Sequence, residues 1–228
     1  MDSSLRILAG ALFRKLIFFT PLRRFVLYRY QYNTSPQALA MLGDLLRRTA
    51  GVEGMIVEVG CERGQTTVFL NKYMDVAHIE KPYLCIDTFA GFIAEDVAFE
   101  IEQRGKAGRF SAFSVNDIRW FEETMRLNGI QRVEAIQADA KLYDYPEGAR
   151  ISFALVDVDL YKPTAAALPK IWERLSPGGV IVVDDCRPGD YKYDGSLQAY
   201  LEFVQTIGEE PEYRAGRLGI INKPEDSP

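Results

Sequence analysis

The sequence predicts an α/β fold: a doubly wound, Rossmann-like, mostly parallel sheet carrying an N-terminal helical extension. Three observations predict it. From residue 55 onward, short apolar runs alternate with segments of helical periodicity. Those runs are almost wholly apolar, as strands covered on both faces are. Acidic residues and glycines gather just after them, where an open α/β sheet binds its ligands.

Taken in order, residues 1–34 read as an extension of one or two basic-apolar helices, broken at Thr20-Pro21, and residues 35–228 as one domain. Ser35 and Pro36 form an N-cap and first helical position, followed by Leu39, Leu42, Leu45 and Leu46 at helical spacing. Strands are expected at 55–59, 83–86, 132–136, 151–156 and 180–183. Helices are expected at 65–74, from a capping box at Ser114-Val-Asn-Asp117 to Asn128-Gly129, from Pro163 to 175, and at 197–207. Ser176-Pro-Gly-Gly179 reads as a turn, and 213–215 with 218–221 as a closing antiparallel pair.

Composition bounds the function. The chain has 228 residues, enough for one α/β domain with extensions. A net charge of -5 gives no global attraction to nucleic acid. The charge is nevertheless uneven, since between Ser3 and Gly43 every charged residue is basic: Arg6, Arg14, Lys15, Arg23, Arg24 and Arg29. Three widely spaced cysteines, Cys61, Cys85 and Cys186, fit a reducing, cytoplasmic setting better than a disulfide framework. Arg14 and Lys15 interrupt the apolar run of 5–19, which is too short to span a bilayer and lacks the layout of a secretion signal. His78, the single histidine, lies in a surface-like stretch, so a serine–histidine hydrolase is not expected.

The strand tips carry the chemistry. The loop Glu58-Val-Gly-Cys-Glu-Arg-Gly64 offers Gly60 and Gly64 for tight turning. A dinucleotide site wants a further glycine where Glu62 stands, and Glu62 would repel a pyrophosphate. The loop therefore suits an adenosine-containing ligand without phosphate, although a plain strand–helix turn reads the same way. Asp87 ends the second strand, where an acid accepts from ribose hydroxyls. Asp139, between Ala138 and Ala140, ends the third and is placed to accept from an adenine amino group, or to serve as a turn aspartate. Asp157 and Asp159 follow the fourth strand, and period 2 puts them on one side if the strand persists. Asp184 and Asp185 end the fifth. Carboxylates meeting there repel one another unless a hard cation, Mg²⁺, Ca²⁺ or Mn²⁺, neutralises them. A cation on Asp157, Asp184 and Asp185 would acidify a substrate hydroxyl, with Asp159 as general base. Helix caps and loop aspartates are the plainer alternative.

Glu58-Val-Gly60 with Gly64-x-Thr66-Thr67, Asp87-Thr88-Phe89-x-Gly91, Asp157-x-Asp159-Leu160-Tyr161 and Leu175-Ser-Pro-Gly-Gly-Val-Ile-Val-Val-Asp184-Asp185 resemble the macrocin O-methyltransferase (TylF-like) family over about residues 50–205. The resemblance implies a class I, S-adenosylmethionine- and Mg²⁺-dependent methyltransferase acting on a sugar hydroxyl of a glycoside or surface glycan. It matches Asp157, Asp184 and Asp185 to the metal ligands, Asp159 to the base and Asp87 to the ribose ligand. The cofactor is expected against Glu58, Gly60, Gly64, Thr66, Asp87, Thr88, Asp139 and Ala140. Val158 replaces the small residue the family places between its two aspartates, and Gly91-Phe92-Ile93 replaces its Gly-Leu-Pro. The segment before Val115, acidic and then basic, also departs from the pattern.

Tyr161, Tyr191 and Tyr193 are candidate platforms for a sugar ring, or ordinary packing. Two other functions fit the same strand tips. A catechol-type O-methyltransferase shares the metal logic and takes a lysine base, for which Lys162 is near. A non-catalytic nucleotide-binding or scaffold protein has no need of four tip aspartates. The partners expected are a small-molecule or glycan acceptor and a second copy of the chain, with no nucleic acid. Residues 5–30 are candidates for peripheral contact with the inner face of a membrane, or for packing on the domain or in an oligomer.

Overall fold

The structure, a computed structural model, describes residues 3–27, 30–108, 110–111, 113–189 and 191–225. The chain falls into two compact units, Met1–Asn33 and Thr34–Pro228. The first holds helix α1 (Ser3–Phe18) and a short 3-10 helix, Pro21–Phe25, capped by Thr20, whose hydroxyl accepts from the Leu22 N–H. No described helix is long and apolar enough to cross a membrane.

The second unit runs α2 (Pro36–Arg48), β1 (Met55–Val59), α3 (Gln65–Ala77), β2 (Tyr83–Asp87), α4 (Ala94–Glu102), α5 (Ile118–Leu127), β3 (Val133–Gln137), β4 (Ile151–Val156), α6 (Tyr161–Arg174), β5 (Leu175–Val183), α7 (Gly195–Thr206), β6 (Glu212–Arg214) and β7 (Leu218–Asn222). The strands form one sheet in the order β3-β2-β1-β4-β5-β7-β6, parallel except for β7, which runs antiparallel to both β5 and β6. The doubly wound expectation holds, and the order reverses between β1 and β4, the crevice where such sheets bind ligands.

Strand alternation divides the core. Ile56, Tyr83, Cys85, Phe153, Leu155, Val180 and Val182 face α2, α3 and α5. Val57, Val59, Ile86, Ala154, Val156, Ile181 and Val183 face α6 and α7. Both faces are thereby removed from water, which is why these strands read as unbroken apolar runs.

Four local expectations change. The helix near 115 is capped by Asp117, whose side chain accepts from the Arg119 N–H, while the Ser114 hydroxyl turns back to the Ser111 carbonyl. Ser176–Gly179 belongs to β5 rather than to a separate turn. The strand absorbs it through a register shift against β4 between Ile151 and Phe153. Helix α6 begins at Tyr161, two residues ahead of Pro163. Helix α4 has no counterpart among the expected elements.

Candidate active site

Gly60 and Gly64 open the loop after β1, both with φ of 86°. A Cβ on Gly60 would lie 1.9 Å from the Asp157 carbonyl oxygen, so the glycine lets the tip of β1 press against the tip of β4. A Cβ on Gly64 would strike Met125 and Phe121. Asp87 clasps the same loop. Its Oδ2 accepts from the N–H groups of Cys61 and Glu62, each at 2.9 Å, and its Oδ1 from Phe89 at 2.6 Å. Three of its roughly four acceptor positions are thus filled.

Glu58 does not reach this loop's outer surface. Period 2 turns it onto the α2–α3 face, 1% exposed, where Oε2 accepts from the Thr67 and Tyr83 hydroxyls at 2.7 Å. Burial pushes its carboxyl up to about 7, against the lowering effect of the Tyr83, Thr67 and Cys85 hydrogen bonds. Its expected contact with a cofactor is therefore corrected to a buried brace between β1, β2 and α3. Thr67 makes that bond; Thr66 stands half-buried in the first turn of α3. The Thr88 hydroxyl donates to the Gly91 carbonyl and shapes the turn after β2. Asp139 takes the turn role. It accepts from the Lys141 N–H and faces the Lys141 ammonium at 3.4 Å, with Ala140 half-buried beside the α6 side of the core.

The second half of the site lies one strand away. β4 stops at Val156, so the condition for aligning Asp157 and Asp159 by strand alternation, that the strand persists, is not met. Asp159 has φ of 61°, and the Leu160 N–H closes a tight turn onto the Val158 carbonyl. Asp184 and Asp185, 5% and 6% exposed, end the neighbouring β5. The four carboxylates converge. Burial and the charges of Asp184, Asp159 and Asp185 hold the Asp157 carboxyl well above the usual range. Burial and a hydrogen bond with Asp185 do the same for Asp159.

Arg217, which no sequence motif marked, lies among them. Its guanidinium donates to Asp184 at 2.6 Å and to Asp185 at 2.8 Å. Its carbonyl accepts from the Cys186 N–H. One signal did point to it. A closing strand antiparallel to β5 must begin beside the tip of β5, and Arg217 immediately precedes β7.

Among the described residues, no group of three or more carboxylate, histidine or cysteine side chains is placed to hold a metal ion. In kind, the carboxylates at these strand tips are the donors that a hard dication takes. They are all oxygen, and Arg217 already bonds two of them, Asp184 and Asp185. Cys186 is buried, with its thiol pushed up by burial, and brings no thiolate to the cluster.

Around the tips runs a charged frame. Glu100, 1% exposed, accepts from the Tyr161 N–H and from Arg104, which also donates to Asp194, as does Lys106. Lys141 bonds the buried Asp96. The acidic-then-basic stretch of the sequence is this frame, tying α4 to the loops after β3, β4 and β5. Tyr161 stacks on Phe99 and donates to Glu202, so it is packing rather than platform. Tyr191 donates to the Asp185 carbonyl, and Tyr193 joins Phe92 and Phe110 in an aromatic cluster. Lys162 is paired with Glu95 at 2.6 Å and lies over Phe99. His78 caps α3 on the surface.

Known proteins share this fold. A Streptomyces olivaceus tetracenomycin rhamnosyl 4'-O-methyltransferase is 30% identical over 157 residues, which are 64% of this chain and 59% of the relative. The O-methyltransferase NovP superposes with a TM-score of 0.67 at 17% identity, covering 82% of this chain and 80% of its own. The calicheamicin methyltransferase CalS11 gives 0.66 at 19%, covering 97% and 94%. These likenesses show a shared fold, and the sequence model for macrocin-O-methyltransferase (TylF) matches residues 38–203. With well over half of its length matched, the chain belongs to the macrocin-O-methyltransferase (TylF) family.

Proposed function

We propose that this protein transfers the methyl group of S-adenosylmethionine to a sugar hydroxyl, with a divalent cation held by Asp157, Asp184 and Asp185. One observation carries the reading: a loop suited to a nucleoside and a four-carboxylate cluster sit on adjacent strand tips at the crevice between β1 and β4. Family membership supports methyl transfer, and the rhamnosyl 4'-O-methyltransferase supports a sugar acceptor.

The loop from Gly60 to Gly64 and Asp87 bind and orient the nucleoside. When bound, the dication supplies positive charge that lowers the pKa of the acceptor hydroxyl. Asp159, beside the proposed ligands, takes the hydroxyl proton as general base. The acceptor oxygen forms its bond to the methyl carbon as the carbon–sulfur bond breaks. That bonding pair stays on sulfur, giving the methyl ether, S-adenosylhomocysteine and a proton on Asp159. Holding the two reactants in line is most of what the chain contributes. A lysine base of the catechol type has no support, because Lys162 is engaged with Glu95.

Calorimetry with S-adenosylmethionine and Mg²⁺ on the wild type and Asp185→Ala tests the reading. Cofactor binding is expected in both, with cation binding lost in the variant and methyl transfer reduced about 100-fold or more. A wild type that does not bind the cofactor overturns the proposal. Transfer that survives EDTA overturns its metal part.

A further inference from the structure

The first unit, Met1–Asn33, carries a surface that the methyl-transfer reading does not use. Ten of the eighteen large apolar residues exposed among the described residues fall between Ile7 and Tyr30. Leu8, Leu12, Phe13, Leu16, Phe19 and Leu22 are 54–77% exposed. A monomeric soluble surface does not ordinarily concentrate apolar area in this way. Leu8, Leu12 and Leu16 recur every four residues along α1 and so line one face, while helical periodicity puts Arg14 opposite Leu12.

The charge pattern selects what covers this surface. Between Ser3 and Gly43 the sequence holds six basic residues and no acidic one. A second copy of the same segment would bring like charge against like charge. A neutral apolar partner would leave the cations unanswered. An anionic bilayer takes both features: apolar side chains enter the acyl boundary, and arginine and lysine stems extend to the phosphates. Since α1 is too short to span, the contact is parallel to the membrane plane.

We infer that residues 7–24 dock this protein on an anionic lipid surface. The inference does not depend on the methyltransferase reading, and its test involves no methyl transfer. Full-length protein is floated with vesicles of phosphatidylcholine alone, and with vesicles containing about one third phosphatidylserine. Expected is recovery with the anionic vesicles at an affinity at least about tenfold above that for the neutral ones, weakened at about 0.5 M salt. Leu12→Glu/Leu16→Glu should abolish flotation. Arg14→Glu/Lys15→Glu/Arg23→Glu should abolish the anionic preference. Circular dichroism checks that each variant is folded, and light scattering without lipid reads the oligomeric state. Wild type left in the soluble fraction with both vesicles overturns the inference, as does equal flotation with both. A lipid-free oligomer dissociated by Leu12→Glu/Leu16→Glu, with no flotation by wild type, makes a second copy the occupant and overturns it too.

Discussion

Replacing Arg217 by methionine removes the guanidinium from the carboxylate cluster while keeping a side chain of similar length. Arg217 is 15% exposed at its side chain, and it bonds two carboxylates that are almost fully buried. Breaking a buried pair by deleting one partner costs about 3–5 kcal/mol, because the remaining charge stays desolvated. The cost depends on pH in a definite direction. Without Arg217, whose charge lowers the proton affinity of Asp184, the Asp184 carboxyl escapes repulsion by taking up a proton, so the variant's native state binds more protons than the wild type's. Its deficit therefore grows as pH rises, by up to about 1.4 kcal/mol per pH unit for each extra proton bound. Urea unfolding with a chelator present should show a loss of about 3–5 kcal/mol at pH 8, shrinking to about 1–2 kcal/mol near pH 5. Millimolar Mg²⁺ should restore stability to the variant more than it adds to the wild type. A loss below about 1 kcal/mol at pH 8, or one that does not change with pH, would refute the reasoning. The first outcome would mean that the cluster carries little charge, and the second that Arg217 acts only through packing.

Gly60→Ala should cost about 3 kcal/mol or more, or prevent folding, since its Cβ would sit 1.9 Å from a backbone oxygen of β4; a thermal melt matching the wild type would contradict the close approach. Glu58 predicts a pH effect of opposite sign to that of an ordinary ion-paired carboxylate. Its native carboxyl stays protonated to about pH 7 and its unfolded form only to about 4.5. Native protein therefore binds the extra proton in that window, and stability falls as pH rises through it, by about 3 kcal/mol in all. Glu58→Gln should flatten this fall in urea midpoints measured at pH 5 and pH 7.5, and parallel profiles for the two proteins would count against a neutral buried Glu58.

The fold was legible because parallel strands buried on both faces leave an unmistakable pattern. Each of the five core strands stands where an apolar run placed it. Helix α4 was not legible, and its burial explains why. It packs through Asp96 and Glu100, carboxylates that face inward only because Lys141 and Arg104 meet them. A helix whose inner face is polar defeats a rule that looks for apolar spacing. The Ser114 cap failed for a related reason. Ser114 and Asp117 are both good caps, and the choice fell to Asp117, whose side chain reaches the Arg119 N–H.

The candidate site was legible as a set of strand ends and less so in its internal division. Strand ends and the crossover rule put Asp87, Asp157, Asp184 and Asp185 near one crevice, and the strand order seats them there. Glu58 lies inside β1 rather than at its tip, and there alternation decides which face it meets. Backbone conformation at the tips was invisible in composition. Glu62, Phe89, Asp159 and Asp185 all have φ between 48° and 61°, one in each loop after β1, β2, β4 and β5. Non-glycine residues are uncommon there, and strain of this kind persists only where surroundings enforce it. The enforcers are on hand: Asp87 fixes the loops holding Glu62 and Phe89, the Leu160 N–H closes the turn at Asp159, and Tyr191 and the Arg217 carbonyl hold the peptide group that follows Asp185. Four bent tips, each tied by hydrogen bonds, keep charged side chains in place where unstrained loops would let them separate. The repulsion among the aspartates is thus opposed by backbone bonding as well as by Arg217.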